Sequence, residues 1–321
     1  MISVIIPHLN QPDALEACLR SLDAQTLPRH SYEVIVVDNG SATPPKDVVA
    51  GHPGVRLQQE SHPGPGPARN AGVAAASGEI LAFIDADCRA RQDWLSSVLR
   101  WSQLSPAGTV LGGDVRIWRP ENAKLDAIAA YESVFAYRFK LYIERHGYSG
   151  TGNMAVSRRD FDRVGPFAGI DVAEDMEWGQ RALRTGLRFR YTPEMIVFHP
   201  SRGSLLELYA KWDRHIAHYR NMAEGKPLWR LRWIAQALLI LASVAPNALT
   251  VLASDRLHGS GVRLKAIAVL CAVRVHRAMT MLSHLQGRRA VAWNVSEAAI
   301  PSGAAKGTIV SQLRQVGTPA E

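Results

Sequence analysis

Short apolar runs alternate with amphipathic segments over the first 112 residues. An apolar run between turn signals is typical of a buried strand, and apolar positions at helical spacing predict helices. The predicted strands are Ser3–Pro7, Tyr32–Val37, Val55–Gln58, Ile80–Ile84 and Thr109–Gly112. The predicted helices begin at Pro12, at Ala68 and near Trp94, and the second ends at Ser77. This alternation predicts a parallel sheet with right-handed crossovers.

The pattern becomes less regular from about Asp114 to Pro200. It predicts three helices and three strands: Ala123–Glu144, Arg158–Val164 and Ala173–Gly186 as helices, and Ala155–Ser157, Arg188–Tyr191 and Ile196–Phe198 as strands. Earlier in the chain, His62–Pro67 is predicted to be a loop, because prolines lack a backbone donor and glycines lack conformational restraint.

Two long apolar segments follow, Leu228–Ala253 and Leu264–Leu282. The first approaches the roughly 20 apolar residues of a membrane span. The second carries Arg274, His276 and Arg277 in its middle and is more typical of a helix at a membrane surface. A soluble helical hairpin is the alternative. We expect an α/β domain over 1–225 with halves 1–112 and 113–225, an apolar helical hairpin over 226–286, and a weakly ordered tail over 287–321.

Composition excludes several classes of protein. The chain has 321 residues, of which 47% are hydrophobic and 21% charged, which is typical of globular rather than disordered proteins. Cys18, Cys88 and Cys271 have no metal-ligand spacing, so neither a disulfide framework nor a zinc site is predicted. The net charge of +8 favours anionic partners such as nucleotide phosphates and acidic lipids.

Two carboxylates one residue apart, Asp85 and Asp87, follow the strand Ile80–Ile84 directly. Ligands of open α/β sheets bind at the carboxyl ends of the strands, so these side chains are predicted to lie at a ligand site. A carboxylate pair there can hold Mg²⁺ or Mn²⁺ together with substrate phosphates. The alternative is an acidic turn without a ligand.

Other nucleotide-binding patterns are missing from the sequence. The glycines of Gly64–Gly66 are not followed by the Lys and Ser or Thr of a phosphate-binding loop, and no strand leads into a Gly-x-Gly-x-x-Gly turn. The basic residues are not interleaved with aromatic residues as in a single-strand binding platform. Nucleic acid is therefore not an expected partner.

Six segments in their order resemble the family 2 glycosyltransferases of the GT-A fold, over about residues 1 to 200. The matching segments are Ser3–Asn10, Val36–Ser41, Ala68–Gly72, Phe83–Asp87, Gly152–Ala155 and Glu174–Arg181. The resemblance implies an α/β GT-A domain with a mostly parallel central sheet. It also implies a nucleotide-diphosphate sugar as donor and Mn²⁺ or Mg²⁺ as cofactor.

The resemblance also implies roles for particular residues. Asp175 matches the catalytic base, and Asp87, with Asp85 and His199, matches the metal site, with Asp85 nearer the ribose. Asp38 matches the position that recognises uracil or thymine. The expected donor contacts are Pro7, Asn10, Asp38, Arg69, Asp85, Gly152, Asn153 and Glu174. Structural alternatives are an Asx turn for Asp38, a solvated helix position for Arg69, an N-cap for Asp175 and a purely structural His199.

These roles imply a metal-dependent inverting glycosyltransferase. It would move a sugar from a UDP- or dTDP-sugar to a lipid-linked saccharide, at the cytoplasmic face of the membrane, in cell-surface or exopolysaccharide synthesis. One alternative is a polyprenyl-phosphate sugar synthase, whose acceptor phosphate would need basic residues near Arg158 or Arg202. Another is a non-catalytic scaffold that binds nucleotide sugars.

Overall fold

A computed structural model of the protein describes residues 1–120, 123–170 and 172–285. The strands in these ranges are β1 (Ile2–His8), β2 (Tyr32–Asp38), β3 (Val55–Gln59), β4 (Ile80–Ile84), β5 (Arg89–Ala90), β6 (Thr109–Ile117), β7 (Asn153–Ser157) and β8 (Arg188–His199). The helices of the α/β domain are α1 (Pro12–Asp23), α2 (Lys46–Ala50), α3 (Pro65–Ala75), α4 (Trp94–Leu104), α5 (Ala127–Phe135), α6 (Phe139–Leu141), α7 (Arg158–Val164), α8 (Glu174–Arg184) and α9 (Leu205–Ala223). The last three helices are α10 (Trp229–Ala242), α11 (Val244–Ala253) and α12 (Ser260–Ser283).

These strands form one sheet in the order β3-β2-β1-β4-β7-β6-β8-β5. Strands β3, β2, β1 and β4 run parallel to one another, and β6 runs parallel to β8. Strand β7 is antiparallel to both β4 and β6, and the short β5 is antiparallel to β8. The carboxyl ends of β1, β2 and β4 therefore meet at one edge, where ligands of such sheets bind.

Apolar side chains fill both faces of the sheet. Successive residues of a strand point to opposite faces, so Ile6 and Ile84 pack in the core beside α1 and α4, whereas Ile5 and Phe83 pack in the core beside α7 and α8. Because helices cover both faces, β1 and β4 are buried along nearly their whole length. This is why their sequences are unbroken apolar runs.

Helix α3 corrects the prediction of a loop over His62–Pro67. It begins at Pro65, and Gly64 just before it has a φ of +119°. Proline is tolerated in the first helical turn, where a backbone N–H has no helical partner in any case. The Gly64 N–H donates to Asn39 Oδ1 at 2.7 Å, which holds the turn. Pro65 and Pro67 therefore start this helix.

Two further predicted elements differ in the structure. Strand β8 is continuous, whereas the sequence predicts two strands, because a shift in its pairing with β6 takes up residues 193–195. The long helix predicted over Ala123–Glu144 divides into α5, α6 and a π-helical turn at Tyr142–His146. The boundary predicted between residues 112 and 113 lies inside β6.

Helices α10, α11 and α12 form an apolar hairpin. By length and composition alone, Trp229–Ala253 (mean hydropathy 1.8) and Ser260–Ser283 (mean hydropathy 1.4) could each cross a membrane, a test that core helices of soluble proteins also pass. In the most apolar 18-residue stretch of each segment, only 17% of the first and 33% of the second is buried within the protein. Their apolar character is therefore mostly not explained by burial within the protein.

Both ends of this hairpin are fastened to the α/β domain. At its tip, the Arg256 guanidinium donates to Asp114 Oδ1 at 2.5 Å and to the Val115 carbonyl at 3.0 Å, both in β6. At its base, Arg220 of α9 donates to the His284 carbonyl at 3.1 Å. The hairpin thus lies alongside the domain. The predicted tail over 287–321 lies outside the described residues.

Candidate active site

A carboxylate and an imidazole meet at the carboxyl edge of the sheet. Asp87 Oδ2 and His199 Nε2 are 3.1 Å apart, and His199 Nδ1 contacts the Pro200 carbonyl at 2.6 Å, which fixes the ring. Burial acts to lower the pKa of His199, but the neighbouring Asp87 outweighs it and raises that pKa. Burial likewise acts to raise the pKa of Asp87, and the attraction of His199 lowers it overall. The pair is therefore held in its charged forms, and a cation bound at His199 Nε2 would have to displace the proton of that nitrogen.

The donor atoms here fit a hard divalent cation. Ligand atoms of Asp87, Cys88 and His199 lie within 4.8 Å of one another. Burial and the Asp87 charge raise the pKa of the Cys88 thiol well above its usual value, so this sulfur stays protonated and is a poor ligand. Asp85 is not in this group. The residues that would hold Mn²⁺ or Mg²⁺ are therefore Asp87 and His199, together with oxygens of the substrate.

Arg69 joins the two acidic segments of the site. Its guanidinium donates to Asp85 Oδ1 at 2.6 Å and to Glu174 Oε1 at 2.9 Å, although the segments are far apart in sequence. Arg69 is almost fully buried, and its Nε atom has no hydrogen-bond partner among the described residues. Arg69 and Glu174, two of the expected donor contacts, thus bind each other, and Arg69 also binds Asp85. Their direct contact with the donor stays a prediction.

Gly152 allows Asp85 to approach the loop before β7. A Cβ atom at residue 152 would lie 2.4 Å from Asp85 Oδ2, well inside van der Waals contact. The glycine is therefore needed for close packing against this carboxylate. Gly152 lies beside Asp85 and leaves room for its carboxylate, and its contact with the donor stays a prediction.

Asp175 begins α8 beside Glu174. Burial, followed by the charge of Glu174, raises the pKa of Asp175 to about 6, despite a hydrogen bond that its Oδ1 accepts from the Met176 N–H at 2.7 Å. The carboxylate is thus made more basic than an ordinary aspartate. A base with a pKa near the working pH is suited to accepting a proton from a hydroxyl group.

The ends of β1 and β2 form another part of this edge. Asp38 is buried, and its Oδ1 contacts His8 Nδ1 at 3.1 Å, while its Oδ2 has no hydrogen-bond partner among the described residues. Asn10 has a φ of +52°, and its Oδ1 accepts a hydrogen bond from the Ala42 N–H at 2.9 Å. Pro7, near the end of β1, pairs with Val37 in the sheet. No sequence signal indicates the role of His8, because its partner lies on another strand.

Asn153, another expected donor contact, lies at the start of β7. Its side chain is fully buried and makes three hydrogen bonds: it accepts from Trp94 Nε1 at 2.9 Å and donates to the carbonyls of Asp114 at 2.9 Å and Met195 at 2.8 Å. Both N–H groups of the amide and one lone pair of its oxygen are therefore used within the protein. Asn153 joins α4, β6 and β8 beneath the site.

Three tyrosines near Asp175 were not predicted from the sequence. The rings of Tyr142 and Tyr148 stack with centroids 5.4 Å apart. Burial raises the pKa of Tyr148, and the charge of Asp175 raises it further, as does Tyr219. Tyr142 and Tyr148 lie close together in the sequence, whereas Tyr219 lies in α9, so no single sequence spacing reveals all three. They form an aromatic wall beside the carboxylate.

Comparison with known proteins identifies relatives of this chain. The model of the family described as Glycosyl transferase family 2 matches residues 3–165. Glycosyltransferase AglE of Haloferax volcanii is 33% identical over 215 residues, which are 64% of this chain and 69% of AglE. A pre-mycofactocin glycosyltransferase of Mycobacterium tuberculosis is 28% identical over 217 residues, which are 65% of this chain but only 45% of that relative.

A solved structure has the same fold. The mannosyltransferase PcManGT from Pyrobaculum calidifontis, in complex with GDP-Man and Mn²⁺, superimposes with a TM-score of 0.55. The match covers 88% of this chain and 86% of the other, at 20% sequence identity. The likeness confirms the predicted GT-A fold.

Proposed function

The chain belongs to glycosyl transferase family 2 and is a glycosyltransferase, and from this premise we propose that it performs a metal-dependent, inverting sugar transfer from a UDP- or dTDP-sugar to a lipid-linked saccharide. The observation that supports this best is the connection of two acidic centres by one buried arginine. Arg69 links Asp85, two residues before the Asp87–His199 pair, to Glu174, the neighbour of Asp175. A donor between these centres has its diphosphate at one and its anomeric carbon facing the other.

The proposed roles follow from the chemistry of the groups. The unbonded Oδ2 of Asp38 can accept a hydrogen bond from the imide N–H of uracil or thymine, which supports a UDP- or dTDP-sugar. A divalent cation at Asp87 and His199 would supply positive charge that stabilises the departing diphosphate. The Mn²⁺ complex of the structural neighbour supports this requirement.

Asp175 is proposed as the general base. It accepts the proton of the acceptor hydroxyl as that oxygen bonds to the anomeric carbon and the bond from this carbon to the diphosphate breaks. A single displacement of this kind inverts the anomeric centre. Arg69 positions the carboxylates of Asp85 and Glu174 and itself touches neither the acceptor hydroxyl nor the anomeric carbon.

A panel of UDP-, dTDP- and GDP-sugars tests the donor and the metal together. We expect slow release of one nucleotide in Mn²⁺ by the purified protein and about 10²-fold slower release with chelator, because the leaving group then lacks its counter-charge. Donor binding is measured on the same samples by calorimetry. A protein that neither binds nor hydrolyses any donor with metal would contradict the proposal and favour the scaffold alternative.

We further propose that the hairpin lies on the cytoplasmic face of the membrane. Trp233–Ser254 contains no charged residue, yet much of its surface is exposed, and Leu239 is 68% exposed. Large exposed side chains on α10, α11 and α12 are Leu231, Leu238, Leu239, Leu241, Leu249, Leu252, Leu264, Val275, Met279 and Leu282. The flanking basic residues, Lys226, Arg230, Arg232, Arg263 and Lys265, complement anionic lipid headgroups. This combination is typical of helices that lie in the interface.

Flotation with lipid vesicles tests the membrane contact. The wild-type protein is expected to float with anionic phosphatidylglycerol vesicles and much less with neutral phosphatidylcholine vesicles. The double change Leu239→Glu and Leu249→Glu should weaken binding by at least tenfold, since each leucine contributes roughly 1.5–3 kcal/mol on burial. Leu104→Glu, at a 60% exposed leucine in α4, is the control. Equal flotation of all three proteins would contradict the proposal.

A further inference from the structure

Helix α12 has two chemically different faces. Val275 and Met279 point outward, and Met279 is 66% exposed. Arg274 and Arg277, one turn apart, lie on the other side, where the Arg277 guanidinium stacks 3.6 Å from the ring centroid of Trp212 in α9. The side of the hairpin that faces the α/β domain therefore carries cations behind an apolar exterior.

Lys211 of α9, Arg274 and Arg277 form a cationic cluster without counter-ions. Among the described residues, none of the three side chains makes an ion pair, and the enclosed Nε atoms of both arginines have no hydrogen-bond partner. Burial, together with neighbouring cations, lowers the pKa of Lys211 to about 8 and that of Arg277 to about 10. Folding thus holds together positive groups that repel one another.

The nearby acidic groups are already paired. Glu132 accepts hydrogen bonds from both the backbone N–H and the guanidinium of Arg202. Asp213 contacts His276 Nε2 at 2.8 Å and accepts a hydrogen bond from Thr280 at 3.2 Å. The protein itself therefore does not neutralise the cluster.

Groups next to both centres of the active site interact electrostatically with the cluster, whose Lys211 and Arg277 lie 5.9 Å and 3.6 Å from the centroid of the same Trp212 ring. Arg277 interacts with Tyr219, which in turn interacts with Tyr148 of the aromatic wall beside Asp175. Lys211 interacts with Arg202, as does Tyr137. The Tyr137 ring is 4.7 Å from that of His199.

We propose that the cationic cluster of Lys211, Arg274 and Arg277 binds the phosphate of a lipid-linked acceptor, and thereby places the acceptor's sugar hydroxyl beside Asp175. This inference rests on the proposed function. The forked donors of arginine match phosphate oxygens, and the outward apolar face of α12 lies where a lipid chain would enter a membrane. The phosphate would lie on α9 and α12 rather than at Asp175, so it is the link to the lipid and not the attacking group.

The basic residues first expected to hold an acceptor phosphate have other partners. Arg158 donates three hydrogen bonds to the backbone carbonyls of Val73, Ala76 and Gly78, and Arg202 is paired with Glu132. Neither side chain is therefore free to bind a phosphate, whereas the cluster has no counter-ion. We accordingly place the phosphate site on α9 and α12 and not at Arg158 or Arg202.

Calorimetric titration of the full chain tests the proposal. The probes are farnesyl diphosphate, which has a lipid chain, inorganic pyrophosphate, which has none, and UDP with Mn²⁺, which reports the donor site. Arg274→Gln and Arg277→Gln should each weaken farnesyl diphosphate binding about tenfold or more, because a charge-assisted contact is lost, while UDP affinity is retained. Arg277→Lys should restore much of the binding. Arg20→Gln removes an exposed charge of α1, outside both the cluster and the proposed membrane contact, and should change neither affinity.

Three results would overturn the inference. Equal losses of UDP and farnesyl diphosphate affinity would assign the cluster to the donor diphosphate. Pyrophosphate binding as tight as that of farnesyl diphosphate, and equally sensitive to the changes, would indicate a free-anion site. Farnesyl diphosphate binding unaffected in a folded Arg274→Gln, Arg277→Gln double variant would remove the cluster's role altogether. A wild type that hydrolyses no donor would instead count against the proposed function, and the titrations remain readable in that case.

Discussion

Asp175→Asn is expected to reduce turnover by about 10²–10⁴-fold while leaving donor affinity nearly unchanged, because the variant removes the proton acceptor and keeps the shape. The Met176 N–H can still donate to the amide oxygen of the substituted side chain, so the start of α8 should be preserved. Single-turnover kinetics with saturating donor, beside calorimetric donor binding, provide the measurement. Full turnover in the variant would contradict the assignment of the base.

The pH dependence gives an independent test of the same residue. With the pKa of Asp175 raised to about 6, the rate should rise about tenfold per pH unit below pH 6 and level off above it, since the deprotonated form is the base. Ionised Asp175 also weakens the fold, because its pKa in the folded protein exceeds the ordinary value of 3.8. Its contribution to stability is complete below about pH 4 and is lost as the pH rises through about 6. Asp175→Asn should therefore melt above the wild type at about pH 8 and not at about pH 4.

Arg69→Met is expected to lower the free energy of unfolding by about 2–4 kcal/mol at about pH 8. Removing one partner of a buried ion pair leaves the other charge without its counter-ion, here Glu174 without its arginine, and the Glu174 side chain is only 10% exposed. The expected loss lies below the largest values known for breaking a buried ion pair, because the Asp85 side chain is 37% exposed and water screens its charge. Urea unfolding measures the change.

Two controls separate this effect from a general loss of charge. Arg20→Met removes a cation that is 75% exposed and paired with Glu16 one turn away, and should cost less than about 1 kcal/mol. Lowering the pH to about 5 should shrink the deficit of Arg69→Met, because burial already raises the pKa of Asp85 and the loss of Arg69 lets this carboxyl take up a proton. A deficit no larger than that of Arg20→Met would show that Arg69 does not hold the two acidic segments together.

The sequence predicts well those parts of the molecule that depend on local pattern. Strands β1, β2 and β4 are covered on both faces, so their apolar runs are unmistakable, and Asp85 and Asp87 follow at the expected edge. The prediction misses the first turn of α3 because prolines usually interrupt helices, although Pro65 is acceptable in that turn. The break predicted within β8 was wrong because pairing with β6 carries the strand past Pro193.

The contacts of the site could not be predicted, since they join distant segments. Arg69 contacts Glu174, which lies 105 positions later in the sequence, and no local pattern near either residue predicts this contact. Asn153 precedes the predicted strand Ala155–Ser157, yet its side-chain amide lies in the core, where its oxygen accepts a hydrogen bond from Trp94 Nε1. Residue type thus indicated the chemistry, while only the folded chain shows which groups are left free for a ligand.

The placement of β7 has a consequence for how the chain folds during synthesis. Strand β4 is complete at Ile84. One of its two neighbours, β1, precedes it in the chain, but the other, β7, is complete only at Ser157, 73 residues later. At the usual pace of translation this leaves an open strand edge for roughly 4 to 15 seconds. An apolar, unpaired edge is a template for association between nascent chains. Efficient production of this enzyme therefore depends on shielding that edge, by the ribosome or by a chaperone, until β7 emerges.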